Sequence, residues 1–128
     1  MDTKYKLLIV EDEDSQRQLY AEYFTMQGFE VVTAADGEEA LRLLNAEVKV
    51  DLVLLDLMLP KIDGMRVLEQ IKGDPVKKNI IVYLMTVLGT DAMVKNAFSK
   101  GADGYIIKDS MTPEQIKNEI TTALEKRK

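Results

Sequence analysis

The chain has 128 residues, 46% hydrophobic and 30% charged, which is enough apolar material for one compact core and leaves no room for a second. Its net charge of −5 disfavours nucleic-acid binding by the chain itself, because phosphate contacts need a basic face. Cysteine and histidine are both absent, which excludes disulfides, zinc of the usual kinds and Ser-His-Asp or Cys-His nucleophiles; any metal must be held by oxygen and be hard, like magnesium.

The start Met1-Asp2-Thr3-Lys4 has no signal-peptide pattern, and no apolar run nears the ~18 residues that cross a bilayer. The expectation is a cytoplasmic protein without a membrane segment. A strand is expected over 6–10, followed by the acidic stretch Glu11-Asp12-Glu13-Asp14. A helix over 15–27 comes next, with Leu19, Tyr23 and Met26 on its buried side and Asp14 or Ser15 as its cap. After Gly28 a second strand is expected over 30–34, and Asp36-Gly37-Glu38-Glu39 reads as a capping box opening a helix that buries Ala40, Leu43 and Leu44. The run Leu52-Val53-Leu54-Leu55-Asp56 is a third strand, apolar on both faces, and a helix over 65–72 carries Leu68 and Ile71 inward. Turn residues Gly73-Asp74-Pro75 lead to a fourth strand over 80–86 and a helix over 90–100 with Val94, Ala97 and Phe98 inside. A fifth strand over 104–107 precedes Thr112-Pro113-Glu114-Gln115, which combines an N-cap threonine, proline at the first helical position and glutamine three residues after the cap. Ile116, Ile120, Ala123 and Leu124 follow at helical spacing.

Five strands each followed by a helix, joined by right-handed crossovers, specify an α/β, doubly wound (βα)5 sandwich with a parallel sheet, and flavodoxin-like order 2-1-3-4-5 is one common solution. The expected extent is a single domain over 1–128. In that order the switch point lies between the first and third strands, so the acids after the first strand meet Asp56 at the end of the third. Asp56 itself interrupts an apolar run where an unpaired carboxylate would cost several kcal/mol or stay protonated. Carboxylates gathered in a partly desolvated crevice raise one another's pKa or demand a cation, and magnesium accepts both carboxylate and phosphate oxygens. Glu13 and Asp14 read as a solvated turn, whereas the spacing of Asp12 from the strand places it beside Asp56. Thr86 and Lys108 end the fourth and follow the fifth strand at the same edge. A hydroxyl, an ammonium and an attacking carboxylate are what a covalently attached phosphoryl group requires.

These pieces, Leu8-Ile9-Val10-Glu11-Asp12, then Asp56-Leu57-Met58-Leu59-Pro60-Lys61-Ile62-Asp63-Gly64, then Thr86, then Gly101-Ala102-Asp103-Gly104-Tyr105 leading to Lys108, resemble the receiver domain of bacterial two-component response regulators over essentially the whole chain. The resemblance implies a phosphorylation-activated signalling switch rather than an enzyme, one that assists its own phosphorylation and dephosphorylation. It implies that Asp56 is the phosphoacceptor, Asp12 a direct magnesium ligand, Glu11 a ligand through water and Met58 a ligand through its backbone carbonyl. Thr86 and Lys108 would bind phosphoryl oxygens, with Thr86 and Tyr105 as switch residues; an ordinary half-buried strand aromatic is the alternative for Tyr105. A sensor histidine kinase or phosphotransfer protein would be the donor, a target protein or output domain the listener, and the state a monomer or a phosphorylation-dependent dimer. Val87 stands where the family usually has alanine or glycine, narrowing the mouth, and Asp109 where many members have a cis proline, which leaves a cis or a trans route open after Lys108. Met58 and Leu88 place apolar side chains where water would approach. A receiver that only binds partners would lack part of the acid pocket, and none is missing here. An aspartyl phosphatase would want an acid where Met58 stands, and neither glycine motif of P-loop or Rossmann nucleotide binders occurs.

Overall fold

In the computed structural model, which describes residues 4–46, 49–87 and 89–127, strands and helices alternate without exception. They are β1 (Lys6–Val10), α1 (Asp14–Met26), β2 (Glu30–Ala34), α2 (Gly37–Asn45), β3 (Leu52–Asp56), α3 (Gly64–Gly73), β4 (Ile81–Thr86), α4 (Asp91–Ser99), β5 (Gly104–Ile107) and α5 (Pro113–Arg127). A 3-10 turn over Lys108–Ser110, which the sequence reading had not separated from the loop, precedes α5. All strand pairs are parallel and the order is β2-β1-β3-β4-β5, as expected.

Alternation of side chains along each strand divides the core in two. Leu8, Val10, Val53, Leu55, Val82 and Leu84 face α2, α3 and α4, meeting Ala40, Leu44, Val67, Leu68, Ile71 and Ala97. Leu7, Ile9, Leu52, Leu54, Tyr83, Met85 and Ile106 face α1 and α5, meeting Tyr20, Phe24, Ile116, Ile120 and Leu124. Each large aliphatic buried in this way contributes roughly 1.5–3 kcal/mol. Because both faces of the central strands are covered, any charge among them must lie at a strand end.

Two expected faces are corrected. On α1 the buried residues are Tyr20 and Phe24, while Leu19 and Met26 are exposed. The ring of Phe24 packs edge-on against Tyr23 and Phe29, so aromatic contact set the helix's rotation. On α4 only Ala97 is buried and Phe98 is exposed, because the small side chain lets the helix sit close to the sheet. The capping calculus also shifts at α1: Glu13 occupies the N-cap position without a side-chain cap bond, and the Asp14 carboxylate is taken by Arg17. The Thr112 box forms as read, whereas at Asp36 only the forward half does, because the Glu39 carboxylate accepts from the Ala35 amide at 2.6 Å instead of from the Asp36 amide. Asp36 accepts from the Glu39 amide at 2.8 Å, and Thr112 and Gln115 bond each other's amides reciprocally at 3.2 and 2.8 Å.

Gly101, at φ 102°, closes α4 in the left-handed region, and the Ala102 amide behind it bonds the Ala97 carbonyl at 3.0 Å. Lys61 takes a similar conformation, φ 66°, with a Cβ to accommodate, partly offset by its ion pair with Asp36 at 3.4 Å. Lys61→Gly is therefore expected to stabilise the protein by about 0.5–1 kcal/mol, the strain relieved exceeding glycine's extra unfolded-state entropy. A thermal melt checks this, and an equal or lower Tm would contradict it.

Candidate functional site

The site is built by carrying the sheet ladder one step past the strand ends. Beyond β1, the Glu11 amide donates to the Ala34 carbonyl at 3.0 Å; beyond β3, the Leu57 amide donates to the Met85 carbonyl at 3.2 Å. Glu11 and Asp56 are thereby fixed at the carboxyl ends of neighbouring parallel strands, where open α/β sheets present their ligand crevice. Gly64 locks the other side. A Cβ there would lie 2.7 Å from the Leu57 Cα and would also strike the Asp56 carbonyl, so α3 can start this close to the Asp56–Leu57 backbone only from a glycine. Gly64→Ala is expected to destabilise the fold by about 1–3 kcal/mol and to shift the Asp56 and Leu57 amide resonances. Unperturbed resonances with an unchanged melt would contradict this packing.

Within the crevice, oxygens of Glu11, Asp12 and Asp56 all lie within 4.8 Å of one another. Glu11 is 1% and Asp56 6% exposed, whereas Asp12 is at the surface. The Asp56 Oδ1 accepts from the Met58 amide at 3.0 Å and its Oδ2 from the Lys108 ammonium at 2.9 Å. The Glu11 Oε2 accepts from the Glu13 amide at 3.0 Å, and its Oε1 also pairs with Lys108. One cation is thus shared between two buried carboxylates. Burial pushes the Glu11 carboxyl above its ordinary range, against the pull of Lys108 and the Glu13 amide and with help from the charge of Asp56. Burial also works against the Lys108 charge, but the bonds to Glu11 and Asp56 outweigh it and raise its pKa. A single ammonium gains from two acids, whereas two acids dividing one ammonium remain only partly compensated for their burial.

The remaining expected residues divide by location. Thr86 is fully buried at the end of β4, one residue beyond the partner of Asp56 in the β3–β4 register. Tyr105 is half-buried on β5 and packs against the α2–α4 face, so its ring lies on the same side of the sheet as α4. Met58 and Val87 are exposed at the rim, 59% and 54%. Leu88 lies outside the described residues. No peptide bond is cis among the described residues, so the chain leaves Lys108 by the trans route, through the 3-10 turn. Glu13 and Asp14 are exposed, as a solvated turn should be.

Sequence reasoning missed two neighbours of the site. Tyr20 lies beneath it, its hydroxyl's pKa raised by burial and further perturbed by Lys108, Glu11, Asp109 and Asp56. Arg17 reaches from α1 to the carbonyls of Glu11 and Asp12. An arginine in the first turns of a helix, where the dipole opposes it, was the signal available for the second.

The donor set fits a hard divalent cation. Octahedral magnesium holds oxygens at about 2.0–2.1 Å, so trans ligands stand ~4.2 Å apart, and carboxylate oxygens already within 4.8 Å of one another need little rearrangement to reach that span. The uncompensated charge supplies the attraction.

A doubly wound parallel sheet with a carboxylate crevice at its switch point, closed by a lysine from the turn that follows the fifth strand, defines the flavodoxin-like class in its chemotaxis-regulator-like form. The chain belongs to the response regulator receiver domain family, whose model matches residues 7–121. It is 39% identical over 124 residues to a probable transcriptional regulator, ycf27, of Guillardia theta, covering 97% of this chain and 47% of that protein. It is 35% identical over 121 residues to a cyclic di-GMP phosphodiesterase of Thermotoga maritima, covering 94% of this chain and 31% of the relative. Among solved structures, the chemotaxis response regulator CheY4 of Vibrio cholerae superposes with a TM-score of 0.86 at 26% identity, covering 94% of this chain and 98% of that one. A receiver domain from Methanospirillum hungatei shares the fold with a TM-score of 0.89 at 24% identity, covering 98% and 97%. The chain spans about half the length, or less, of the curated relatives it matches. No helix among the described residues is long and apolar enough to cross a membrane.

Proposed function

We propose that residues 1–128 act as one magnesium-dependent receiver unit that accepts a phosphoryl group on Asp56 and changes its partner-binding face in response. The observation that carries this reading is the placement of Asp56, buried at the end of an apolar strand yet flanked by two acids, an ammonium and a backbone amide. In the transfer, an Asp56 oxygen forms a bond to phosphorus as the donor's P–N bond breaks and the leaving imidazole keeps the electron pair. The donor is a histidine kinase or phosphotransfer protein, since the chain holds no histidine. Asp12, Asp56 and the Met58 backbone carbonyl would hold magnesium, with Glu11 reaching it through water, and the bound ion would neutralise charge on the transferring phosphoryl oxygens. Lys108 and the Thr86 hydroxyl take the phosphoryl oxygens from the protein side. The domain assists its own phosphorylation and dephosphorylation in this way without turning over a separate substrate.

The added charge of roughly −1.5 to −2 biases an element with two packings. Thr86 moving toward the phosphoryl group frees space behind it, and Tyr105 turning inward remodels the surface of α4, β5 and α5. That surface addresses a target protein or an output domain, as a monomer or a phosphorylation-dependent dimer, in the cytoplasm. Neither nucleic acid nor membrane is contacted by this unit.

Met58 and Val87 stand exposed at the rim with apolar side chains, which disfavours an ordered attacking water. After loading with a small phosphodonor and magnesium, the protein is expected to carry one phosphoryl group by intact mass and to keep it for minutes once the donor is removed. A lifetime of seconds would contradict this account of the rim, and no uptake would contradict the function.

A further inference from the structure

Arg17 is a cation near the start of α1, where the helix dipole opposes positive charge, yet its side chain is only 21% exposed. It reaches back out of the helix. One guanidinium nitrogen donates to the Glu11 carbonyl at 2.9 Å and, more weakly, to the Asp12 carbonyl at 3.4 Å, while the other pairs with Asp14. Those carbonyls belong to the two residues whose carboxylates approach Asp56. The Glu11 amide is held separately by the Ala34 carbonyl, so Arg17 completes the fixation of the peptide from which both acids project.

We infer that Arg17 is a positioning residue for the cation site: by holding the carbonyls of residues 11 and 12 it sets the directions in which the Glu11 and Asp12 carboxylates leave the backbone. The inference rests on the proposed reading of those acids as magnesium ligands. Its sign is diagnostic. By charge alone, removing a cation from beside a cation site tightens binding, and it also frees the Asp14 carboxylate to attract metal. If Arg17 instead orders the loop, its removal weakens binding although the electrostatics improve.

The test is a titration of magnesium chloride into the wild type, Arg17→Ala and Arg17→Lys, followed by calorimetry and by the Glu11 and Asp12 amide resonances, with melts of each in chelator. Arg17→Ala is expected to bind magnesium about tenfold more weakly, in the range seen when groups that orient metal ligands are removed. Its Tm in chelator should stay within a few degrees of wild type. Arg17→Lys, which reaches with one nitrogen, should recover part of the loss. Phosphoryl uptake by Arg17→Ala should be slow at limiting magnesium and return to the wild-type rate at saturation. Equal or tighter binding by Arg17→Ala overturns the inference, as does a rate that stays low at saturating magnesium. Should the alanine variant fail to fold, Arg17→Lys and Arg17→Gln carry the same comparison. A wild type that takes up no magnesium overturns the underlying site reading as well, and that result is visible before any substitution is made.

Discussion

Asp56→Asn is expected to abolish phosphoryl uptake from a small donor while leaving the fold intact. The amide keeps the size and shape of the carboxylate, so the packing of β3 against its neighbours is undisturbed, and its oxygen can still accept from the Met58 amide or from Lys108. It lacks the charge needed to attack phosphorus, and among the described residues no other buried acid is placed to replace it: Glu11 is already bonded by Lys108 and the Glu13 amide. Removing a nucleophile of this kind costs on the order of 10⁴-fold or more in rate, which on the time of the experiment means no increment in mass. Retained uptake by the variant, mapped to another aspartate or glutamate, would move the acceptor elsewhere.

Lys108→Met is the second large effect, and it has opposite signs in two assays. In chelator the variant leaves Glu11 and Asp56 buried without their common cation, and loss of one partner from a buried ion pair costs about 3 kcal/mol. The methionine preserves most of the packing, so the loss reports the charge. The deficit should shrink at acid pH, for a reason that fixes the sign. The folded pKa of Glu11 is raised, so its protonated form favours the native state below the ordinary value of 4.5, and this advantage disappears as pH rises through the folded value. In magnesium the deficit should also shrink, because the ion takes over the neutralisation, and magnesium should bind more tightly than to wild type since no ammonium has to give up Glu11. Phosphoryl uptake should nevertheless fall by about 10²-fold, because the charge facing the transferring group is gone. A variant as stable as wild type in chelator, with unchanged magnesium affinity, would contradict the shared ion pair.

Much of this was legible before any coordinates. Asp56 announced itself because an ionisable group interrupts Leu52 to Leu59, and the alternation of strands and helices fixed which other strand ends would stand beside it. What the sequence hid was rotation and reach. Leu19 and Met26 are as apolar as the residues that α1 buries, and two overlapping stripes leave the choice to the packing of Phe24 against Tyr23 and Phe29. Helical spacing puts Val94, Ala97 and Phe98 on one face of α4, but proximity to the sheet buries only Ala97 among them. The bonds of Arg17 run to backbone carbonyls, which every residue possesses and no residue code marks. The route after Lys108 was open because Lys-Asp-Ser carries no proline to fix it, and a 3-10 turn in trans delivers the ammonium to both acids.

The breadth of the relatives bears on output. Proteins described as a transcriptional regulator and as a cyclic di-GMP phosphodiesterase both match this chain, over 47% and 31% of their own lengths, so the match by itself names no one response.

In the proposed function, a cation held among carboxylates enables a buried aspartate to take a phosphoryl group. Intact-mass measurement of the wild type incubated with a small phosphodonor, once in magnesium and once in chelator, addresses it directly. A single phosphoryl increment is expected in magnesium and none in chelator; equal increments in both, or none in either, would contradict the proposed function.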